Sequence, residues 1–352
     1  MNKPNIFSLP VFSLEKKEKK IFHFFRLKEL FKHHIKKCNA YSVIYSKVYN
    51  KFKVNYKNLF EFTIPVKLFK SEKLISISNN DVYKILESSG TTGLITSKIY
   101  LDKKTSLIQS KALTKIVSFF LGSKRLPMLI VDFQPEPNKL INARTAAING
   151  FSIFATNKVY FFKRDGVFNK DEVFNFIKKY HKEKFLIFGF TSIIFDSLVR
   201  SNFIPVGTKL TKAILIHGGG WKKLESQKIT NKLFNQRLKK KYYIERIHNY
   251  YGMVEQTGSI FMECDKCNKF TTSNFSDVAI RDSNLKILTT GKKGFVQLIS
   301  LLPTSYPGQN ILTEDIGEIT GEDNCPCGIK GKYFKIYGRS KRSEKRGCSD
   351  VY

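Results

Sequence analysis

From about residue 105 the chain alternates between segments with apolar residues at helical spacing and short, continuous apolar runs. This alternation restricts the fold more than any other feature. Thr105 to Leu121 places Ile108, Ala112, Leu113, Ile116, Val117 and Phe120 on one broad face, which predicts an amphipathic helix. The run PMLIVDF (127–133) predicts a strand, followed by a small-residue helix around 142–148 and the strand KVYFF (158–162). An amphipathic helix over 170–181, the strand FLIFGF (185–190), a helix over 191–200, the strand KAILIHGG (212–219) and a basic helix over 224–241 complete the series. Strands separated by helices of this length read as βαβ units around a largely parallel sheet. Beyond residue 270 the rhythm changes to SDVAIRD, LKILTT and FVQLIS between Gly and Pro turns, which predicts antiparallel strands. The N-terminal hundred residues read as mostly helical and rich in lysine.

Charge limits the function classes less than it first suggests. Lys and Arg total 61 against 29 Asp and Glu, a formal net charge of +32, which favours polyanions and anionic surfaces. No helix-turn-helix, zinc-finger or RNA-stacking signature accompanies the charge, so a specific nucleic-acid role is not expected. The opening MNKPNIFSLPVFSLEKKEKK has no apolar signal core, and the longest apolar runs are strand-length, so a cytoplasmic protein without a membrane span is expected. In a reducing compartment, close cysteine pairs favour metal binding over disulfides.

Three short motifs carry the chemistry. Ser88, Ser89, Gly90, Thr91, Thr92 and Gly93 follow an apolar run, and their glycines and hydroxyls suit a loop whose donors converge on phosphate. The loop departs from GxxxxGK[ST], because Leu94 and Ile95 follow Gly93. His217, Gly218, Gly219 and Gly220 end the strand KAILI, where open α/β sheets place ligands and where backbone without side chains admits a flat base. Tyr250, Tyr251 and Gly252 precede Glu255, which joins rings able to stack on a base with a carboxylate able to hold Mg²⁺. Each motif alone also reads as an ordinary turn.

In this order and spacing the motifs resemble the adenylate-forming superfamily of acyl-CoA synthetases and firefly-type luciferases. Thr313 and Asp315 in ILTEDIGEI resemble its ribose-binding motif, and Gly338 with Arg339 in YGRSKRSEKRG resembles its hinge. The stretches ARTAAINGFSIFA, IFGFT, HGGGWKKL, YYGMVEQTGSIFMEC, CPCG and GRSKRSEKRGC resemble more closely the acyl-protein synthetases of bacterial luminescence fatty-acid reductase complexes. The resemblance implies an α/β adenylate-forming large-domain fold with mostly parallel sheets flanked by helices and a small antiparallel region near the C-terminus. It also implies ATP and Mg²⁺, a fatty acid substrate, a cysteine near the C-terminus, here Cys348, as acyl acceptor, and an acyl-accepting partner such as a reductase. On this reading 1–80 form a helical region packed on the core, 81–260 an α/β nucleotide-binding core, and 261–352 an antiparallel region with the acceptor tail.

Cys348 follows Lys341, Arg342, Lys345 and Arg346, whose positive field favours the reactive thiolate; the alternative is an exposed thiol without a role. The chain ends thirteen residues after Arg339, where the superfamily continues into a small domain with a catalytic lysine, so no such domain is expected. Lys98 or the basic tail is left to supply the cation. Cys264 and Cys267 in CDKC, with Cys325 and Cys327 in CPCG, supply the four thiolates of a closed tetrahedral Zn²⁺ site if their loops meet, and are otherwise buried or idle thiols or a disulfide. His34 and Cys38 lack further ligands nearby and read as a packed or surface pair. The alternative functions are a ligase that loads CoA or a carrier protein, and an inactive basic scaffold of the same fold.

Overall fold

A computed structural model describes residues 5–49, 59–88, 96–136 and 142–340. They form two compact units, one built from residues up to 88, 96–117 and 252–340, the other from 118–251.

The first unit opens with the helix Lys16–Lys37, whose buried residues Lys19, His23, Leu27, Leu30, Phe31 and His34 recur every three or four positions and so share one face. Leu27 packs on Ile299 and Leu301, with Ile6, Phe22, Phe24 and Phe60 around them. Each polar member of the stripe makes at least one hydrogen bond as it is buried, although His23 Nδ1 is left without one. Lys19 Nζ donates to Thr272 Oγ1 at 2.8 Å, the His23 ring bonds the Asn274 carbonyl at 2.9 Å, and the His34 ring bonds Ser76 Oγ at 2.8 Å and the Pro303 carbonyl at 3.2 Å. His34 and Cys38 are therefore packed residues, both buried. The strands β1 (Ile64–Pro65), β2 (Lys84–Glu87) and β3 (Lys98–Leu101) follow, with β2 and β3 paired as an antiparallel hairpin. The helix Lys103–Leu121 then buries Ala112, Ile116 and Val117.

The second unit holds β4 (Leu126–Phe133), β5 (Ala155–Phe162), β6 (Phe185–Phe190), β7 (Ala213–Gly218) and β8 (Arg246–Tyr251). Their order is β8-β7-β6-β4-β5 and every pairing is parallel, as the alternation of helices and strands predicts. All six residues of β6 and of β7 are buried, which is why these strands read as unbroken apolar runs. Phe188 of β6 stacks on Phe151 at 4.4 Å, so this segment packs the core. The basic helix expected over 224–241 is divided into a 3-10 segment Lys222–Gln227 and an α-helix Asn231–Tyr242. Thr230 is the reason: it is extended, and its hydroxyl accepts from the Leu233 amide to start a new helix.

The chain returns to the first unit with β9 (Phe261–Cys264), β10 (Lys269–Thr271), β11 (Ser276–Arg281), β12 (Lys293–Ser300), β13 (Asn310–Glu322) and β14 (Lys332–Arg339). These run β11-β12-β13-β14-β10-β9 with antiparallel pairings, and β1 adds to β13 in parallel. LKILTT, expected as a strand, is a turn with a single bridge from Ile287 to Arg281. The Asp282 carboxylate accepts the amides of Asn284 and Lys286 and Leu285 takes a positive φ of 62°, a local arrangement that competes with a ladder. No helix among the described residues is long and apolar enough to cross a membrane.

Candidate active site

In the first unit Ser88 and Ser97 bracket the Ser/Thr/Gly segment at the end of the β2–β3 hairpin where Glu87 faces Lys98. The Ser88 amide donates to the Ser97 carbonyl at 3.0 Å and the Ser97 amide to Ser88 Oγ at 2.8 Å, which clasps the base of the loop. Ser89, Gly90, Thr91, Thr92 and Gly93 lie outside the described residues, as does Cys348.

Glu255 sits in the single 3-10 turn Val254–Gln256 and is buried. Gln256 anchors that turn, its amide donating to the carbonyls of Leu298 at 3.1 Å and Gly308 at 2.8 Å. Gly258 closes it at φ 85°, and a Cβ there would lie 2.6 Å from the Gln109 carbonyl oxygen, so glycine is required both for the angle and for the close approach. Burial raises the pKa of the Glu255 carboxyl, while the adjacent Ser97 hydroxyl and, more weakly, the charges of Lys70 and Arg339 pull it down. Ser97 Oγ is itself buried without a hydrogen bond of standard geometry. Burial leaves the carboxylate short of compensating charge, which a cation would supply. The carboxylate therefore fits Mg²⁺, which is commonly held by only one or two carboxylates together with water and phosphate.

Asp315 on β13 is the register partner of Arg339 on β14. The Thr313 hydroxyl donates to the Val296 carbonyl at 2.8 Å and accepts the Asp315 amide at 3.2 Å, which sets the backbone around the carboxylate. The register shifts between Ile316 and Gly317, and Gly338 takes φ 122°; a bulge of this kind re-aims the side chain that follows, here the exposed Arg339. Lys98, a sequence candidate for the cation, lies opposite Glu87 on the hairpin at 3.9 Å, with more than half of its side chain exposed. Lys70, Ser97, Gln109 and Tyr306 stand near Glu255 without any sequence signal of their own. Lys70 and Ser97 act on the carboxyl directly, and Gln109 donates to Tyr306 Oη at 3.1 Å.

In the second unit His217 and Gly218 end β7 opposite Asn249 and Tyr250 of β8, at the carboxyl edge of the parallel sheet. The His217 ring is buried against Phe234, bonded through Nδ1 to Thr191 Oγ1 at 2.9 Å. Burial, reinforced by the neighbouring His248, lowers its pKa to about 3, so the imidazole is neutral and its part is internal. A Cβ on Gly218 would stand 2.4 Å from the Tyr250 ring. The flat group lying against this backbone is thus Tyr250 itself, held by Phe151 at 5.0 Å. Tyr251, next along the strand, points to the opposite face and is half-buried. Gly219 has φ 79°, and around Gly220 the space is open.

The cysteines converge in the first unit. β10 pairs with both β9 and β14, which sets the CDKC turn beside the CPCG turn. The sulfurs of Cys264, Cys325 and Cys327 lie within 4.8 Å of one another, and the neighbouring Cys267 thiol draws the pKa of Cys264 down while its own is held up.

Comparison with known proteins bears on the whole chain. The family model described as "Acyl-protein synthetase, LuxE" matches residues 5–352. The chain belongs to the LuxE family of acyl-protein synthetases. It is therefore an AMP-forming ligase. A relative from Aliivibrio fischeri, the long-chain-fatty-acid–luciferin-component ligase, is 24% identical over 309 residues, 81% of the synthetase and 76% of the relative. Among solved structures, 2-hydroxyisobutyryl-CoA ligase in an open conformation with 2-HIB-AMP and CoA superposes with a TM-score of 0.70 at 14% identity, over 93% of the synthetase and 76% of that chain. The amide bond synthetase McbA from Marinactinospora thermotolerans superposes with a TM-score of 0.51 at 14% identity, over 74% and 49% of the two chains. At such identities the likeness is one of fold, and the α/β fold of the synthetase is that of adenylate-forming ligases.

Proposed function

We propose that the synthetase uses ATP to convert a long-chain fatty acid into its acyl adenylate and then moves the acyl group to Cys348, for delivery to an acyl-accepting protein such as a reductase. The observation that carries this reading is the family match running to residue 352, through the basic tail that holds Cys348. The fatty-acid ligase among its relatives supports the acid.

In the first step a carboxylate oxygen attacks the α-phosphorus, the bond to the β-phosphate oxygen breaks, and pyrophosphate leaves. The chain's work here is positioning and charge neutralisation. Ser88 to Gly93 supply donors to the phosphates, and Asp315 with Arg339 holds the ribose. Gly219, Gly220 and Tyr251 receive the base, in preference to His217 and Tyr250, whose rings are committed to the core. Bound at Glu255, Mg²⁺ would screen phosphate charge. Lys70 is a better source of the remaining cation than Lys98, because its charge already acts on Glu255 while Lys98 is drawn toward Glu87. In the second step the Cys348 thiolate attacks the acyl carbon, the bond to the phosphate oxygen breaks, AMP leaves, and the thiol proton goes to solvent.

Acid-dependent exchange of pyrophosphate into ATP, surveyed over acids of different length, tests the first step. Labelled acid retained on the denatured protein tests the second. Cys348→Ala should abolish retention and leave exchange intact; retention in that variant refutes Cys348 as acceptor, and acyl-CoA formation without retention favours a CoA ligase.

A further inference from the structure

The sulfurs of Cys264, Cys325 and Cys327, distant in the chain, meet within 4.8 Å of one another, Cys267 stands in the turn that follows Cys264, and none of the four takes part in the reaction above. Cys264 ends β9 and Cys267 lies in the turn to β10, where Asn268 takes a positive φ of 53° and its amide donates to the Cys264 carbonyl at 2.8 Å. The amides of Lys266 and Cys267 both point at the Cys264 sulfur. On the other side Cys325 and Cys327 stand in the connection from β13 to β14, which turns at Gly328 with φ 80°, and the Ile329 amide points at the Cys327 sulfur. Two turns thus each present a pair of sulfurs, with amide donors aimed at one sulfur of each pair.

The sulfur separations have the scale of a coordination shell. Four sulfurs about 2.3 Å from a tetrahedral Zn²⁺ are about 3.8 Å apart along each edge. Cys264 and Cys325 are 3.8 Å apart, that edge length, whereas Cys325 and Cys327, at 2.9 Å, stand closer and would spread to seat an ion. Cys264 and Cys325 are buried, while Cys267 and Cys327 are half-buried at the rim, which leaves a metal a route of entry.

We propose that Cys264, Cys267, Cys325 and Cys327 bind one Zn²⁺ as a closed four-thiolate site. With no position left for water or substrate, the site is structural. It ties the β9–β10 turn, which follows the Glu255 segment in the chain, to the tip of the β13–β14 hairpin, whose other end carries Asp315 and Arg339. Its consequence is to hold the register of that hairpin.

The test is metal analysis of the full chain purified without chelator from zinc-supplemented cells. The expected result is close to one zinc per chain, released by a mercurial that titrates the thiols. Cobalt in its place should give thiolate-to-cobalt charge transfer and the intense visible bands of a tetrahedral site. Cys267→Ser, at the half-buried rim, should lose the zinc, whereas Cys38→Ala, in a separate part of the unit, should keep it. Zinc below a tenth of an equivalent in folded wild-type protein overturns the proposal, as does a mass two hydrogens lower from a Cys325–Cys327 disulfide, or zinc retained in full by Cys267→Ser. Because the measurement is made on the wild-type chain first, a variant that fails to fold does not decide the matter, and none of the readouts depends on acyl transfer.

Discussion

Replacing Gly218 with alanine separates a glycine needed for packing from one needed for ligand. The added Cβ would lie 2.4, 2.7 and 2.7 Å from three atoms of the Tyr250 ring. Ordinary carbon contacts begin near 3.5 Å, so the ring must retreat by about 1 Å. It has nowhere to go, since Phe151 is 5.0 Å away on a tilted face and Phe188 stacks at 6.2 Å. Overpacking of a confined aromatic costs about 1–3 kcal/mol, and the rigid neighbours place this substitution toward the upper end. Movement of Tyr250 carries Tyr251 with it, and a displacement of about 1 Å among positioning groups can reduce a rate about 100-fold. Gly220→Ala is the control: its Cβ meets nothing within 4 Å, so stability should change by less than about 0.5 kcal/mol. If the base lies against Gly220, that variant instead raises the KM for ATP in the exchange assay. Urea denaturation and exchange kinetics on both variants decide the point. Gly218→Ala that keeps wild-type stability and exchange would show the Tyr250 ring to be free to move, and the argument from close approach would fail.

Acid should unfold this protein early. His23, His34 and His217 have folded-state pKa values lowered by burial from 6.5 to about 4, 3 and 3, so the unfolded chain binds more protons below 6.5 and stability falls as pH falls toward those values. At pH 5 each costs about 2 kcal/mol relative to pH 7, about 6 kcal/mol in all, and denaturation midpoints independent of pH between 7 and 5 would contradict this. Glu255→Gln removes a buried ionisable group whose pKa is raised, so it should leave folding stability unchanged or higher while lowering exchange about 100-fold; unimpaired exchange would exclude a metal-binding role. In the wild type, rising Mg²⁺ should move the acid limb of exchange to lower pH, because metal and proton compete for one carboxylate. Lys70→Ala should lower exchange more than Lys98→Ala, and the reverse order would return the cation to Lys98.

The parallel strands were legible because burial on both faces leaves an unbroken apolar run, as in FLIFGF and AILIH, whose every residue is buried. LKILTT carried the same apolar signal and failed as a strand, since side-chain bonds from Asp282 and the positive φ of Leu285 impose a turn that no apolar pattern encodes. The long helix expected to end the series was interrupted by one threonine acting as a cap, a choice that composition alone leaves open.

The glycine-rich and tyrosine motifs were visible as residue types at their positions, but not the division of labour within them. Gly218 serves Tyr250 because strand register sets the two side by side, and His217 bonds Thr191, the first residue of the helix that follows the neighbouring strand β6. The sequence by itself determined the α/β class, the order of the motifs and the four cysteines, since each is written in local periodicity or residue chemistry. Only the tertiary structure decided that Lys70 and Ser97 act on Glu255, that Asp315 faces Arg339, and that CDKC meets CPCG. Those juxtapositions join residues tens to hundreds of positions apart, and such distances in the chain are closed by strand pairing and burial rather than by any pattern the residues carry locally.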